Sequence, residues 1–472
     1  MKTYFIFATL LILGGCAAGP EYHKPDVAAP AAYKEAKDWK LAKPKDAASR
    51  GSWWEIYGDG DLNTLVSQVE ISNQNILAAA AQYRQALALL GATQASYFPA
   101  LSGDLSGIRA QGSSPSTNGT ATVAPGAQAR NTMRLSVSAS WEADIWGHIG
   151  RNVEASKASA QASSTDLQSA LLSAQATLVQ TYFQLRINDA QQRLLEQTCA
   201  AYERSREITK NRYEAGVAGR VDVAQAETQL KTTQAQTIDL GVQRAQLEHA
   251  IAVLIGKAPE DFRLKPANGL PALPQVPSAL PSELLERRPD IAGDERRMAA
   301  ANAQIGVAQA AFFPALTFNG TGGYQSSSLP QLVTLPSRFW SIGPSLALTL
   351  FDAGARSAQK ESAVAAYDKT VARYRQTVLA AFQEVEDNLA ALHQLADEAV
   401  VQQAAEQSAA EALALTENQY QSGTVSYLNV VTAQATVLGA KRGNLEIAGR
   451  RLLANAGLIK ALGGDLQKDR PF

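Results

Sequence analysis

Ala95-Ser-Tyr-Phe-Pro-Ala-Leu101 returns 215 residues later as Ala310-Ala-Phe-Phe-Pro-Ala-Leu316. The echo continues. Tyr213-Glu-Ala-Gly216 followed by Val221-Asp-Val223 pairs with Tyr420-Gln-Ser-Gly423 followed by Leu428-Asn-Val430 at an offset of 207, and Leu254-Ile-Gly256 pairs with Ala461-Leu-Gly463 at the same offset. Three ordered matches at nearly one spacing identify an internal duplication, so each half of the chain is expected to be one structural unit.

Within each half the same order of elements recurs. A helical stretch is stopped by proline in both, residues 73–97 ahead of Pro99 and 290–312 ahead of Pro314, because a proline pushes the residue before it out of helical geometry. Strands follow. Met133-Arg-Leu-Ser-Val-Ser-Ala-Ser-Trp141 alternates strictly, with Met133, Leu135, Val137, Ala139 and Trp141 on one face and Arg134 and the serines on the other. Residues 340–351 alternate similarly around an internal Pro344. Leu316, Phe318 and Tyr324 against Thr317, Asn319 and Thr321 give a third strand, and 101–108 a fourth whose apolar face is diluted by glycine. Polar turns at 111–130 and 325–337 make two long hairpins of these. Roughly 10 residues per strand is a membrane-crossing length, yet four strands cannot close and open edges are not tolerated in lipid. If the strands span a membrane, several copies must share one barrel.

After each hairpin comes a very long helical pattern, 148–212 and 355–420, each about 100 Å at ~1.5 Å per residue. Helices of about 50 Å return over 221–255 and 428–462, and each adds to the proline-stopped helix of its own half to nearly match the long one. Gly216 and Gly423 suit helix C-terminal positions that need a left-handed backbone. Asp222 stands in the first turn of a returning helix, where a carboxylate favours the helix dipole by about 0.3–1 kcal/mol.

The composition agrees with long helices packed through small side chains: 7% aromatic and 18% charged residues in a chain rich in Ala, Gln and Leu. A net charge of −1 gives no reason to expect a nucleic-acid partner. At the amino terminus Lys2 precedes an apolar run over 4–13 and then Leu13-Gly-Gly-Cys16, which reads as a secretory signal ending in a lipobox. Cys16 is the expected lipidation site, and Ala17 after it resembles the residue found in lipoproteins sorted to the outer membrane. Cys199 is left as the second cysteine and is expected to be a packed thiol, with no disulfide framework.

Several stretches carry a family resemblance: Cys16-Ala-Ala-Gly-Pro-Glu-Tyr22; Trp53-Trp54 with Tyr57-Gly-Asp59 and Leu62; Leu280-Pro-Ser-Glu-Leu-Leu-Glu-Arg-Arg-Pro-Asp290 and Glu295-Arg296; Ala301-Asn-Ala-Gln-Ile-Gly306 to Phe312-Phe-Pro314; and Leu350-Phe-Asp-Ala-Gly354. With them the sequence resembles the outer-membrane factor lipoproteins of RND-type efflux systems, the TolC, OprM and NodT group, over essentially its whole length. The resemblance implies an α+β membrane protein: a homotrimer in which four strands per chain form a twelve-stranded β-barrel, continuous with a long α-helical barrel through the periplasm. It implies an exit duct exporting drugs or other small toxic compounds, with a periplasmic membrane-fusion adaptor and an inner-membrane RND transporter as partners. The expected division is a signal peptide at 1–15, a lipid-anchored segment at 16–60, helices at 61–98, a membrane hairpin at 99–142, tunnel helices at 143–256, an equatorial linker at 257–288, then a helix at 289–313, a hairpin at 314–351, tunnel helices at 352–463 and a tail at 464–472. Relatives narrow at the periplasmic tip, and members often ring the aperture there with carboxylates. The resemblance places the turns at Gly216 and Gly423 at that tip. The matching positions here are Asn429 and Thr432 beside Leu428, with Asp222 at the corresponding place in the first half, so the expected constriction is polar and apolar.

Nothing in the sequence argues for catalysis. The histidines at 23, 148, 249 and 393 are scattered without metal-ligand spacing, and no phosphate loop or nucleophile motif occurs, so no cofactor is expected beyond the lipid on Cys16. Glu384-Val-Glu-Asp387 reads as a solvated helix face. Two other readings compete: a periplasmic coiled-coil scaffold lipoprotein, which must discard the strands, and the exit duct of a type I protein secretion system.

Overall fold

The computed structural model describes residues 18–24, 51–111, 129–267, 269–274 and 288–464. Cys16, the 275–287 part of the linker and most of the first hairpin's turn lie outside them. The described elements are α1 (Gly60–Ser72), α2 (Gln74–Gln94), β1 (Ala100–Ala110), β2 (Arg130–Ala143), α3 (His148–Glu214) and α4 (Arg220–Leu254), followed by α5 (Pro289–Ala310), β3 (Ala315–Ser326), β4 (Arg338–Ala347), α6 (Ala355–Gln421) and α7 (Tyr427–Ala461). The duplication is visible in their lengths: α3 and α6 each have 67 residues, α4 and α7 each 35.

The chain forms two compact units. The first contains the strands and the helix segments nearest them, residues 1–26, 83–163 and 294–374. Its sheet runs β1-β2-β3-β4, antiparallel throughout, and β2 meets β3 across the long helical excursion between them. Each strand pair is handed to a long helix by the same device. The Asp144 carboxylate accepts from the amides of Ile149 (2.9 Å) and Gly150 (2.7 Å) at the start of α3, and Asp352 accepts from Gly354 (3.1 Å) and Arg356 (3.3 Å) at the start of α6. Gly147 and Gly354 turn the chain with positive φ just before these starts. The Leu350–Gly354 motif is thus a strand-to-helix cap.

The alternation over 340–351 overestimates the last strand, which ends at Ala347. Its final ladder pair is Ala315 with Ala347, because the chain before Ala315 is Pro314, which offers no amide, so Leu348 onward has no partner strand among the described residues.

The second unit, residues 27–82, 164–293 and 375–472, holds the main core. Trp53, Trp54 and Tyr57 pack with Leu62, Val66 and Val69 of α1 against Leu178, Tyr182 and Phe183 of α3, Ile251 of α4, and Leu452 and Ile459 of α7. Tyr57 donates to Asn455 at 2.6 Å. Asp59 caps α1 and accepts from the Tyr182 hydroxyl at 2.5 Å, so this motif serves packing.

Between α1 and α2 the helix breaks at Asn73. Its side chain accepts from the amides of Asn75 and Ile76 and donates to the carbonyl of Leu254 at the end of α4. The duplicated counterpart of Asn73, 215 residues on, is Arg288. This 8%-exposed arginine donates to Asp290 (2.7 Å), to Glu384 (2.6 Å) and to the carbonyl of Ala461 at the end of α7 (3.2 Å). Burial opposes its charge, but Asp290 and Glu384 outweigh burial and raise its pKa. In both halves, then, the residue that opens the proline-stopped helix ties off the end of the returning one. Glu384 is correspondingly not only a solvated face, since Arg288 anchors it.

Candidate functional site

Two features could make a conduit: the faces of the sheet and the helix turns at 214–220 and 421–427.

In an antiparallel ladder, directly opposed residues share a face. Leu101 opposes Ala139, Leu105 opposes Leu135, Trp141 opposes Phe318, Leu316 opposes Leu346, and Ile342 and Trp340 oppose Gly320 and Gly322. This face is apolar across all four strands. Ser102 with Ser138, Asp104 with Ser136, Ser140 with Asn319, Glu142 with Thr317 and Thr321 with Ser341 give the other face. Leu101 is 73% exposed, Trp340 73% and Ile342 79%, so among the described residues nothing covers the apolar side. Aromatic rings gather where strands meet helices: Trp141 stacks on Phe318 and donates to the Tyr97 carbonyl, and Trp146 stacks on Phe313 and donates to the Pro314 carbonyl. Such rings, apolar in body with one polar tip, belong at a membrane interface. Among the described residues β1 pairs only with β2 and β4 only with β3, which leaves two edges open.

At the turns, Gly216 and Gly423 have φ of 77° and 79°. The amides of Gly216 and Val217 donate to Tyr213 and Arg212, and those of Gly423 and Thr424 to Tyr420 and Gln419. Both glycines therefore close a helix by the same paired-bond motif, as their spacing predicts. Asp222, in the first turn where a carboxylate favours the dipole, also accepts from the Gly219 amide at 3.2 Å and so caps the helix locally. On α7, Tyr427, Val430, Gln434 and Val437 are buried, while Leu428 is 54% exposed and Asn429 and Thr432 are exposed beside it. Thr432 donates to the Leu428 carbonyl at 2.9 Å, so its hydroxyl is already occupied locally.

A contact not anticipated from sequence joins the two turns. The Arg212 guanidinium lies 4.8 Å from the Tyr420 ring centroid and donates to the Gln421 carbonyl at 3.1 Å, capping the last turn of α6 from the end of α3. Tyr420 and Tyr427 pack together with Ala226 and Val430, and Tyr427 bonds Ser205 at 3.0 Å. Burial holds the Tyr427 hydroxyl above its usual pKa, so it stays protonated. The available signal was a basic residue in the last turn of α3, where a helix carbonyl needs a donor.

Among the described residues no helix is long and apolar enough to cross a membrane, and no group of three or more His, Cys, Asp or Glu could hold a metal ion. The family model for "Outer membrane efflux protein" matches residues 65–257 and 280–464. The chain belongs to that family. The probable efflux pump outer membrane protein TtgC of Pseudomonas putida is 30% identical over 458 residues, 97% of this chain and 94% of the relative. The pyoverdine export outer membrane protein OpmQ of Pseudomonas aeruginosa is 29% identical over 100% of this chain and 98% of its own. The cation efflux system protein CusC of Escherichia coli K12 is 27% identical over 97% and 98%. Among solved structures, the outer-membrane channel OprN superposes with a TM-score of 0.86 at 29% identity over 96% of this chain and 100% of that one, and CusC with 0.84 at 25% over 95% and 100%. This member of the family is an outer-membrane efflux channel, not an enzyme, and its four paired strands remove the coiled-coil scaffold reading.

Proposed function

We propose that three copies of the chain form the exit duct of a tripartite efflux pump, working with a periplasmic membrane-fusion adaptor and an inner-membrane RND transporter. The observation that carries this reading is the amphipathic sheet with open edges at β1 and β4. Joining β4 of one copy to β1 of the next removes both edges, turns the apolar face to lipid and the serine-rich face to an aqueous lumen. Three copies bring the strand count to twelve. Cys16 carries the lipid that anchors each chain to the outer membrane. Leu428, Asn429 and Thr432 line the constriction at the periplasmic tip, and the first turn of α7 there carries no carboxylate. The relatives named for toluene, antibiotic, pyoverdine and cation efflux support a small-compound or ion cargo. The test is the mass of the detergent-solubilised protein by light scattering with detergent correction, together with single-channel conductance in planar bilayers. A trimer with small or intermittent conductance supports the gated duct, whereas a monomer without conductance rejects it.

A further inference from the structure

Two of the sequence motifs have no part in the conduit: Cys16–Tyr22 and Ala301–Gly306. In the first unit the described part of the former, from Ala18 on, packs against the helix that carries the latter. The Ala18 amide donates to the Trp146 carbonyl (2.9 Å), and Arg151 donates to the Ala18 carbonyl (3.2 Å). Gly19, at φ +100°, lies directly on Gly306, so closely that a side chain on Gly19 would fall inside the Gly306 backbone. A Cβ on Gly306 would in turn be 2.9 Å from both the Ala18 carbonyl oxygen and Arg151 Cγ. The 4%-exposed Asn302 donates to the Pro20 carbonyl (3.0 Å). Lys24 pairs with Glu295 (2.9 Å).

Glu295, Asn302 and Gly306 are spaced by seven and four residues, which makes one stripe along α5. From 295 to 306 the helix rises about 16 Å. The five steps from Gly19 to Lys24 cover about the same distance when extended. Strap and stripe therefore match in length and run antiparallel, with a contact at the start, early part and end of the strap.

We propose that residues 18–24 are a positioning strap and that the Glu295/Asn302/Gly306 stripe of α5 is its dock. The strap fixes Ala18, two residues after the lipid-bearing cysteine in sequence, beside Trp146, where β2 passes into α3. Acyl chains attached to a loose tether would leave the strands free of the bilayer edge; the docked strap delivers them to it. The inference rests on acylation of Cys16, and its claim is that acylation without docking does not yield an assembled channel.

The test compares the full-length wild type with two variants expressed in a Gram-negative host. Gly306→Leu spoils the dock and leaves the leader untouched. Replacement of residues 19–24 by a Gly-Ser linker of equal length spoils the strap and leaves α5 untouched, so a folding defect in the helix cannot explain a shared result. Mass spectrometry of the N-terminal peptide reads acylation, and the assembled oligomer in the outer-membrane fraction, with its conductance, reads assembly. The strap reading expects both variants to be acylated like wild type and to lose most of the assembled, conducting oligomer. It further expects Lys24→Glu and Glu295→Lys to be weakened singly and the double variant to recover. Wild-type assembly by the acylated linker variant overturns the strap and makes the segment a passive tether. An unacylated wild type instead overturns the lipoprotein reading, and is seen separately in the peptide mass.

Discussion

Arg288→Ala tests the repeat's own fastening. The guanidinium is 8% exposed and serves three acceptors on three parts of the chain: Asp290, Glu384 of α6 and the Ala461 carbonyl at the end of α7. Hydrogen bonds to a charged group contribute about 1.5–3 kcal/mol each when buried. Asp290 and Glu384 are 34% and 46% exposed and rehydrate when the arginine is removed, so their share is near that of surface pairs, up to about 1 kcal/mol each. The Ala461 carbonyl, at a buried helix end, loses its donor for about 1–3 kcal/mol. The total is about 2–4 kcal/mol. A multi-unit membrane protein unfolds irreversibly, so the readout is the unfolding half-life at fixed elevated temperature, followed by helical circular dichroism in detergent. A loss of about 2 kcal/mol felt wholly on unfolding shortens it roughly 30-fold. Arg288→Lys keeps the charge but not the fork, and is expected to fall between wild type and alanine. A double-mutant cycle with Glu384→Ala isolates the pair. An unchanged half-life in Arg288→Ala, with zero coupling in the cycle, refutes the fastening.

The other predictions concern the turns and the sheet. Gly216→Val and Gly423→Val each force a β-branched residue into a left-handed backbone and are expected to cost at least about 1–2 kcal/mol, measured as loss of thermal resistance of the oligomer. Leu428, Asn429 and Thr432 carry no titratable group, so wild-type conductance is expected to be flat between about pH 5 and 8. Asn429→Asp with Thr432→Asp is expected to make it sensitive to pH and to divalent cations; an already sensitive wild type places the constriction elsewhere. Ile342→Arg puts a charge on the apolar face and is expected to lower barrel stability by about 2–4 kcal/mol at midplane depth, whereas Ser341→Arg on the opposite face is tolerated. Equal outer-membrane yields of the two would exchange the assigned faces.

Much of the architecture is local and therefore legible. Helices α3, α4, α6 and α7 begin and end within two residues of their periodic patterns, because glycine closes them and carboxylates or turns open them. The faces of β2 follow directly from its alternation. Alternation alone misplaces the end of β4, since a strand lasts only as long as its partner, and Pro314 ends that partner. The contacts that read least well join residues far apart in sequence. Arg288 to Ala461, Arg212 to Gln421 and Asn302 to Pro20 each link motifs whose local patterns carry no trace of the other. Asp222 is the reverse case: its carboxylate accepts from the amide three residues before it, a contact local enough to follow from its place in the first turn.

The central claim is that the sheet separates lipid from an aqueous lumen, and it is tested most directly by cysteine accessibility along β2 in outer membranes. In a Cys199→Ser background, single cysteines at Leu135, Ser136, Val137, Ser138, Ala139 and Ser140 are treated with a membrane-impermeant thiol reagent. Labelling at 136, 138 and 140 with protection at 135, 137 and 139 is the predicted result. Uniform labelling, or the opposite alternation, contradicts the account.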